Sequence, residues 1–232
     1  MKKTESALYQ RTWARMGLMF RSAMLQSLAR FLLVLLLSFI HASCSEPSKT
    51  PSGKSKVAAP SPTPVTGRFA FQRMYIQART WAVDAQPLRI SSFNLKEVAS
   101  KAGKCGAWQA TFVSPQLGKA RSYTFSSADS HGKIREGVFA GREEPWGGSS
   151  GQARPFFIQA LKVDSDEAFD TASQKSSDFV IKNPEMPVLF QLELTSRHPN
   201  PTWRVIWGET LGTIHHSAFI DASSGVFLPG LR

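Results

Sequence analysis

Trp203-Arg-Val-Ile-Trp-Gly-Glu-Thr-Leu-Gly212 has the pattern of a β-strand that runs into a turn. Large apolar side chains recur at every second position, so Trp203, Val205 and Trp207 lie on one face of the strand. Ser217-Ala-Phe-Ile-Asp221 follows and is typical of a second strand. The pattern predicts an antiparallel meander.

The same arrangement occurs earlier in the chain. Trp108-Gln-Ala-Thr-Phe-Val-Ser-Pro-Gln-Leu-Gly118 again begins with Trp and ends at Leu-Gly, and Ser122-Tyr-Thr-Phe-Ser126 provides a second strand. Gly132 and Gly225 mark polar turns into third strands, because glycine adopts the positive φ that such turns often need. The recurrence indicates an internal repeat. The alternative is a chance similarity between two hairpins.

A helix is predicted ahead of each meander. Apolar residues recur at helical spacing over residues 71–83, and a strand follows over residues 88–93. In the second half, residues 156–163 are predicted as a strand. A helix then begins at Asp164 or Ser165, since either side chain can cap the first turn.

The alternating run Val188-Leu-Phe-Gln-Leu-Glu-Leu194 predicts a strand after the second helix. We therefore expect an α+β fold of two repeated units, each a helix packed on an antiparallel β-meander. The predicted boundaries are residues 68–145 for the first unit, 146–155 for a Gly-rich linker and 156–232 for the second unit.

The end of the chain resembles a known domain family. Pro201-Thr-Trp-Arg-Val-Ile-Trp-Gly208 and Phe219-Ile-Asp-Ala-Ser-Ser-Gly-Val-Phe227 are similar to the closing strands of PepSY domains, with Ser224 where the family usually has Thr. The resemblance covers residues 156–232 and, through the repeat, residues 70–140. It implies a small extracytoplasmic module that binds or restrains partners, often peptidases, and that has no catalytic motif.

The beginning of the chain predicts export. An apolar run of ten residues, Phe31–Ile40, follows Arg30, and its length is typical of a signal peptide rather than a membrane span. The residues up to Cys44 resemble the lipobox of bacterial lipoproteins, in which the Cys becomes the lipidated first residue. His41 stands where that family has Leu. Residues 1–43 are predicted as the signal peptide; an uncleaved signal anchor is the alternative.

Residues 44–67 are predicted to be a disordered tether. The segment is rich in Pro, Ser and Lys, and it buries too little apolar surface to offset its ordering entropy. A lipid on Cys44 would then hold the globular part at the periplasmic face of a bacterial membrane. Ser45 suits the outer membrane if the host is a diderm.

Charge and composition limit the class of partner. The chain carries a formal net charge of +11, but residues 1–43 hold six Lys or Arg and one acid, which leaves 22 basic and 16 acidic residues, a net charge of +6, for residues 44–232. These charges are scattered rather than gathered on a face with interleaved aromatic residues. We expect no nucleic-acid partner.

Few residues in this sequence are candidates for metal binding or catalysis. His215 and His216 are neighbours in a predicted strand, so they point to opposite faces and do not share a metal ion; one exposed and one half-buried imidazole is expected. Cys105 lies in Gly103-Lys-Cys-Gly106, and we expect it in a loop or at a strand edge; the basic, flexible setting is one in which a thiol pKa can be lowered. Asp221 is expected to accept hydrogen bonds within its own turn. We predict no metal, cofactor or catalytic residue.

These observations favour a lipid-anchored, non-enzymatic binding or inhibitory module, whose partner is an envelope protease or another periplasmic protein. The expected contact surface is the open sheet face or an edge strand, with Trp146, Trp207 and the 141–154 loop as contact candidates. One alternative is a passive structural envelope lipoprotein. Another is a hydrolase that uses Cys105 with a His such as His131, which a Cys105→Ala variant would test.

Overall fold

The computed structural model describes residues 61–130, 134–148 and 153–230. The predicted signal peptide, Cys44 and most of the tether lie outside these residues, as do His131, Gly132 and the middle of the 146–155 segment. The described residues belong to one compact unit. Within the described ranges the chain is α+β with an antiparallel sheet, which confirms the predicted class.

Helices are few and strands are many in the described part of the chain. In chain order the elements are α1 (Gly67–Trp81), β1 (Gln86–Phe93), β2 (Ala107–Ser114), β3 (Lys119–Ser126), β4 (Gly137–Pro145), β5 (Ala153–Arg154), a 3₁₀ turn (Ile158–Ala160), α2 (Ser165–Lys175), α3 (Ser177–Lys182), β6 (Val188–Thr195), β7 (Thr202–Thr210), β8 (Thr213–Asp221) and β9 (Phe227–Leu228). None of the helices in the described residues combines the length and apolar character that a bilayer span requires.

One sheet runs through the whole domain. Its strand order is β4-β3-β2-β1-β6-β7-β8-β9, and β5 pairs separately with β6. The two meanders join where β1 and β6 pair antiparallel, with Arg89, Ile90 and Ser91 opposite Glu193, Leu192 and Gln191. Because this pairing is in register, the sheet is continuous from one meander to the other.

The local predictions succeed at the start of α2 but miss the start of α1 and the segment before α2. Helix α1 begins earlier than residue 71, because the Thr66 side chain accepts the Phe69 N–H at 3.3 Å and caps it. Asp164 caps α2 as predicted. The strand predicted over residues 156–163 is wrong: the segment forms a 3₁₀ turn instead. Its N–H groups bind separate parts of the sheet, since Phe156 donates to Pro87 O and Val163 to Ala222 O.

The core lies between the helices and one face of the sheet. The predicted inward residues of both Trp strands are fully or almost fully buried; they are Trp108, Ala110, Phe112, Trp203, Val205 and Trp207. The Trp108 and Trp203 rings meet edge to face with centroids 6.2 Å apart, and Phe190 contacts both. Gly67 lies against these rings, and a Cβ there would come within 2.7 Å of Trp203.

Corresponding hydrogen bonds occur in the two halves. Trp108 Nε1 donates to Val65 O at 3.0 Å, and Trp203 Nε1 donates to Val163 O at 2.9 Å. Each acceptor lies two residues before the start of a helix, Val65 before α1 and Val163 before α2. The first strand of each Trp pattern is thus fixed to the entry of the helix that precedes it.

The N-terminal ends of α1 and α2 meet at a polar junction formed by Asp164 and Ser165. Asp164 Oδ1 accepts the N–H groups of Ser165 at 2.7 Å and Arg68 at 2.8 Å, so one carboxylate serves both helices. The buried Ser165 hydroxyl accepts the Gly67 N–H at 2.7 Å and donates to Gly103 O at 2.6 Å. The Asp164 and Ser165 side chains therefore link the start of α1, the start of α2 and Gly103, which are far apart in sequence.

Candidate binding surface

Strand β4 forms a free margin of the sheet. Among the described strands it pairs only with β3, and its residues are half-buried or exposed along their whole length. The second half, residues 142–145, carries three charged residues and a proline, and the pairing is irregular opposite Arg121–Tyr123. Such features prevent unwanted strand pairing. The first half, Gly137–Ala140, has no charge and no proline, so it can accept another strand.

A groove of about 700 Å³ lies between helix α1 and this uncharged half of β4. Phe69 and Ile76 on α1 are 42% and 62% exposed, and Phe125 of β3 packs edge to face on Phe69 with ring centroids 6.0 Å apart. Val138 forms the β4 side, and residues 61–63 line the groove where the chain enters the domain. Apolar side chains of an added strand would fit in this groove.

The helix beside the groove is basic. Helix α1 contains Arg68, Arg73 and Arg79 and no acidic residue. Arg68 pairs with Asp164, whereas the Arg73 guanidinium lies 5.3 Å over the Phe69 ring at the groove. The groove lining also includes one acid, Glu136. The helix side of the groove therefore favours a ligand that carries acidic side chains.

The other end of α1 is closed against β4. Trp81 Nε1 donates to Glu143 at 2.9 Å, and Lys119 pairs with the same carboxylate. The hydrogen bonds from Lys119 and Trp81 lower the pKa of Glu143, so this acid stays charged and engaged. Because this contact covers the second half of β4, an added strand can reach the edge only along Gly137–Ala140.

The two Trp residues predicted as partner contacts differ in exposure. Trp146 is half-buried just after β4, and its backbone N–H donates to Gly118 O at 2.9 Å. Trp207 is only 2% exposed, and it packs on Phe179 and His216 beneath α3. Because its inward position in the β7 alternation buries the ring, Trp207 is removed from the candidate contact surface.

The paired histidines lie as predicted, with His215 exposed and His216 half-buried. The His216 ring stacks on Phe179 at 4.7 Å, and its Nε2 lies 2.8 Å from the Ser176 hydroxyl. Burial lowers the pKa of His216, which favours the neutral ring. Within the described ranges, no cluster of three His, Cys, Asp or Glu side chains is placed to hold a metal ion.

Cys105 lies in an isolated bridge just before β2, and the alternative of a reactive thiol at this position finds no support in its surroundings. The residue is fully buried, and its N–H and C=O bond to Val65 across an isolated bridge. Burial raises the thiol pKa despite hydrogen bonds to Ser100 and Ser92. A nucleophilic cysteine needs the opposite, an accessible thiolate.

Asp221 has the structural role predicted for it. Its Oδ1 accepts the N–H groups of Ser223 at 2.8 Å and Ser224 at 2.9 Å, and Asn200 Nδ2 donates to Oδ2 at 3.0 Å. Burial favours the neutral acid, but these bonds outweigh it and the pKa of Asp221 is lowered. Gly225 closes the turn at φ +76°.

Comparison of the chain with protein-family models, characterised proteins and solved structures gave no match.

The groove is the feature that the sequence patterns missed. Phe69, Arg73 and Ile76 lie at positions i, i+4 and i+7 of α1 and so share a helix face. That spacing was a usable signal, but recognising it required the helix to begin at residue 67.

Proposed function

We propose that this protein is an extracytoplasmic, lipid-anchored, non-enzymatic binding or inhibitory module that holds an extended segment of an envelope protein or peptidase. The observation that carries the proposal is the uncharged, unpaired edge Gly137–Ala140 beside the apolar groove under α1. An extended segment would add to β4 through backbone hydrogen bonds, and every second side chain would enter the groove. Arg73, which lines the groove, favours a segment in which acidic residues alternate with apolar ones.

We also propose that the domain consists of two PepSY-like units joined through β1 and β6. The support is the correspondence between the halves: Trp108 and Trp203 each bond to the carbonyl two residues before a helix, at Val65 and Val163. The strand order is likewise symmetric about the β1–β6 pair. In this proposal each unit is a helix packed on an antiparallel meander, and the first presents the groove at a free edge.

The proposed binding is tested with a synthetic peptide that alternates Val and Glu, with a Val–Lys peptide as the charge control. We expect the Val–Glu peptide to bind the purified chain more tightly and to slow amide hydrogen exchange at Val138–Ala140. Ile76→Glu should weaken binding by ~tenfold or more, because it places a charge among the apolar groove side chains.

Ile181→Glu is the matched control, since Ile181 is similarly exposed at 76% but lies on α3, outside the groove lining. It should bind the peptide like the wild type. An equal loss of affinity in both variants, or exchange protection elsewhere than β4, would contradict a site in this groove.

The proposed anchor is tested by intact mass and membrane fractionation of the wild type and a Cys44→Ala variant in a bacterial host. We expect a mature wild-type chain that begins at Cys44, carries lipid and fractionates with membranes. The Cys44→Ala chain should lose both properties, because the thiol is the proposed lipid attachment site. A soluble product cut elsewhere would indicate a free secreted protein, and an uncut precursor would indicate a signal anchor.

A further inference from the structure

A second concavity lies on the sheet face opposite the helices. It has a volume of about 330 Å³ and is formed where β6 turns into β7. Arg204 and Phe219 point to this face because they alternate with the buried residues Val205, Ala218 and Ile220. The residues that line it and enter the argument are Glu193, Thr195, Arg197, His198, Arg204 and Phe219.

Arg204 stacks on an aromatic ring and has no polar partner among the described residues. Its guanidinium lies 5.6 Å over the Phe219 ring of the neighbouring strand, where the two residues are opposite each other in register. The buried Nε has no hydrogen-bond partner, and no carboxylate in the described residues pairs with this side chain. Stacking occupies the face of the guanidinium, and its two terminal Nη groups are the donors left for a planar oxyanion.

The surroundings add positive charge and limit how much negative charge a ligand can carry. Arg197 is exposed and His198 half-buried on the β6–β7 turn, and His198 packs at 6.2 Å on Phe219. Glu193 forms one wall, and Arg89 Nε pairs with it at 2.9 Å. That wall disfavours a dianion more than a monoanion, since like charges repel at this range.

We propose that this concavity binds a carboxylate, with Arg204 as the bidentate partner and Arg197 as a second positive charge. The carboxylate belongs either to a small organic acid or to the C-terminus of a polypeptide, because the two present the same group. This site lies on the face of the sheet opposite the α1 groove, so it is independent of the proposed edge binding.

The test is an NMR titration of the purified chain with N-acetylalanine, its neutral methylamide, propionate and inorganic phosphate. We expect saturable shifts at Arg204 and Phe219 with N-acetylalanine and none with the methylamide. Equal binding of propionate assigns the site to small acids, whereas tighter binding of N-acetylalanine assigns it to chain termini. Arg204→Gln should weaken binding by ~tenfold or more. Arg204→Lys should weaken it by less, since Lys keeps the positive charge but lacks the two parallel N–H donors of the guanidinium.

Lys175→Gln is the control, because Lys175 is exposed on α2, outside the lining of this concavity, and its loss should leave carboxylate binding unchanged. If Arg204→Gln does not fold, Arg197→Gln on the exposed turn provides the same test, with an expected loss of about threefold. Binding that survives both Arg substitutions, tighter binding of phosphate than of either carboxylate, or equal binding of the methylamide would overturn the proposal.

Discussion

Gly103→Ala is expected to lower the free energy of unfolding by about 3–5 kcal/mol. Gly103 has φ +77°, a conformation that side chains disfavour. A Cβ at this position would lie 2.3 Å from Asp166 Cα and 2.5 Å from Ser165 O. Both atoms belong to the backbone at the start of α2, so the clash is relieved only by moving the helix or the turn. Urea unfolding of the two proteins measures the difference.

Gly118→Ala separates the clash from the conformational cost. Gly118 also has a positive φ, +61°, but no atom lies within 4 Å of its added Cβ. The expected loss is therefore only about 1–2 kcal/mol. Equal losses of unfolding free energy in Gly103→Ala and Gly118→Ala would show that the close contact of Gly103 with the start of α2 adds no cost.

Asp164→Ala is expected to cost about 2–4 kcal/mol of unfolding free energy. The buried carboxylate accepts N–H groups at the starts of both α1 and α2 and pairs with Arg68 at 3.5 Å. Its removal leaves these donors without an acceptor and leaves Arg68 with only the longer, 3.9 Å ion pair to the exposed Glu167. Asp164→Asn should lose roughly half as much, because the amide keeps one acceptor oxygen.

Asp170→Ala on the exposed face of α2 is the control for lost charge, and it should change the unfolding free energy by less than about 0.5 kcal/mol. Thermal or urea unfolding of the three variants gives the comparison. A small effect of Asp164→Ala, similar to that of Asp170→Ala, would mean that the shared cap contributes little to the packing of the two helices.

The elements that depend on neighbouring residues are the ones that sequence patterns predict correctly. The alternation of Trp203, Val205 and Trp207 requires one buried face, and the cap at Asp164 is satisfied within one turn. Both are determined by residues a few positions apart. For the same reason the strands and the start of α2 could be located before any tertiary contact was known.

The errors arise where distant segments decide the outcome. Residues 156–163 have apolar residues suited to a strand, but their N–H groups find acceptors at Pro87 and Ala222, which local patterns do not include. Cys105 is flanked by Gly and Lys, yet the Val65 bridge and the core bury it. The α1 groove likewise depends on where β4 begins beside the helix. These arrangements are tertiary, so no short motif encodes them.

The pairing of β1 with β6 has a consequence for the order of folding. Arg89 and Glu193 face each other across this pair, although 104 residues separate them in the chain. As the chain emerges from its N-terminus, β1 can pair with β2 at once, but its other edge waits until most of the remaining sequence has appeared. Such long-range pairings close slowly and leave a strand edge exposed to other chains. During synthesis, the strand that ends up at the centre of the sheet therefore has an open edge to which other chains can pair.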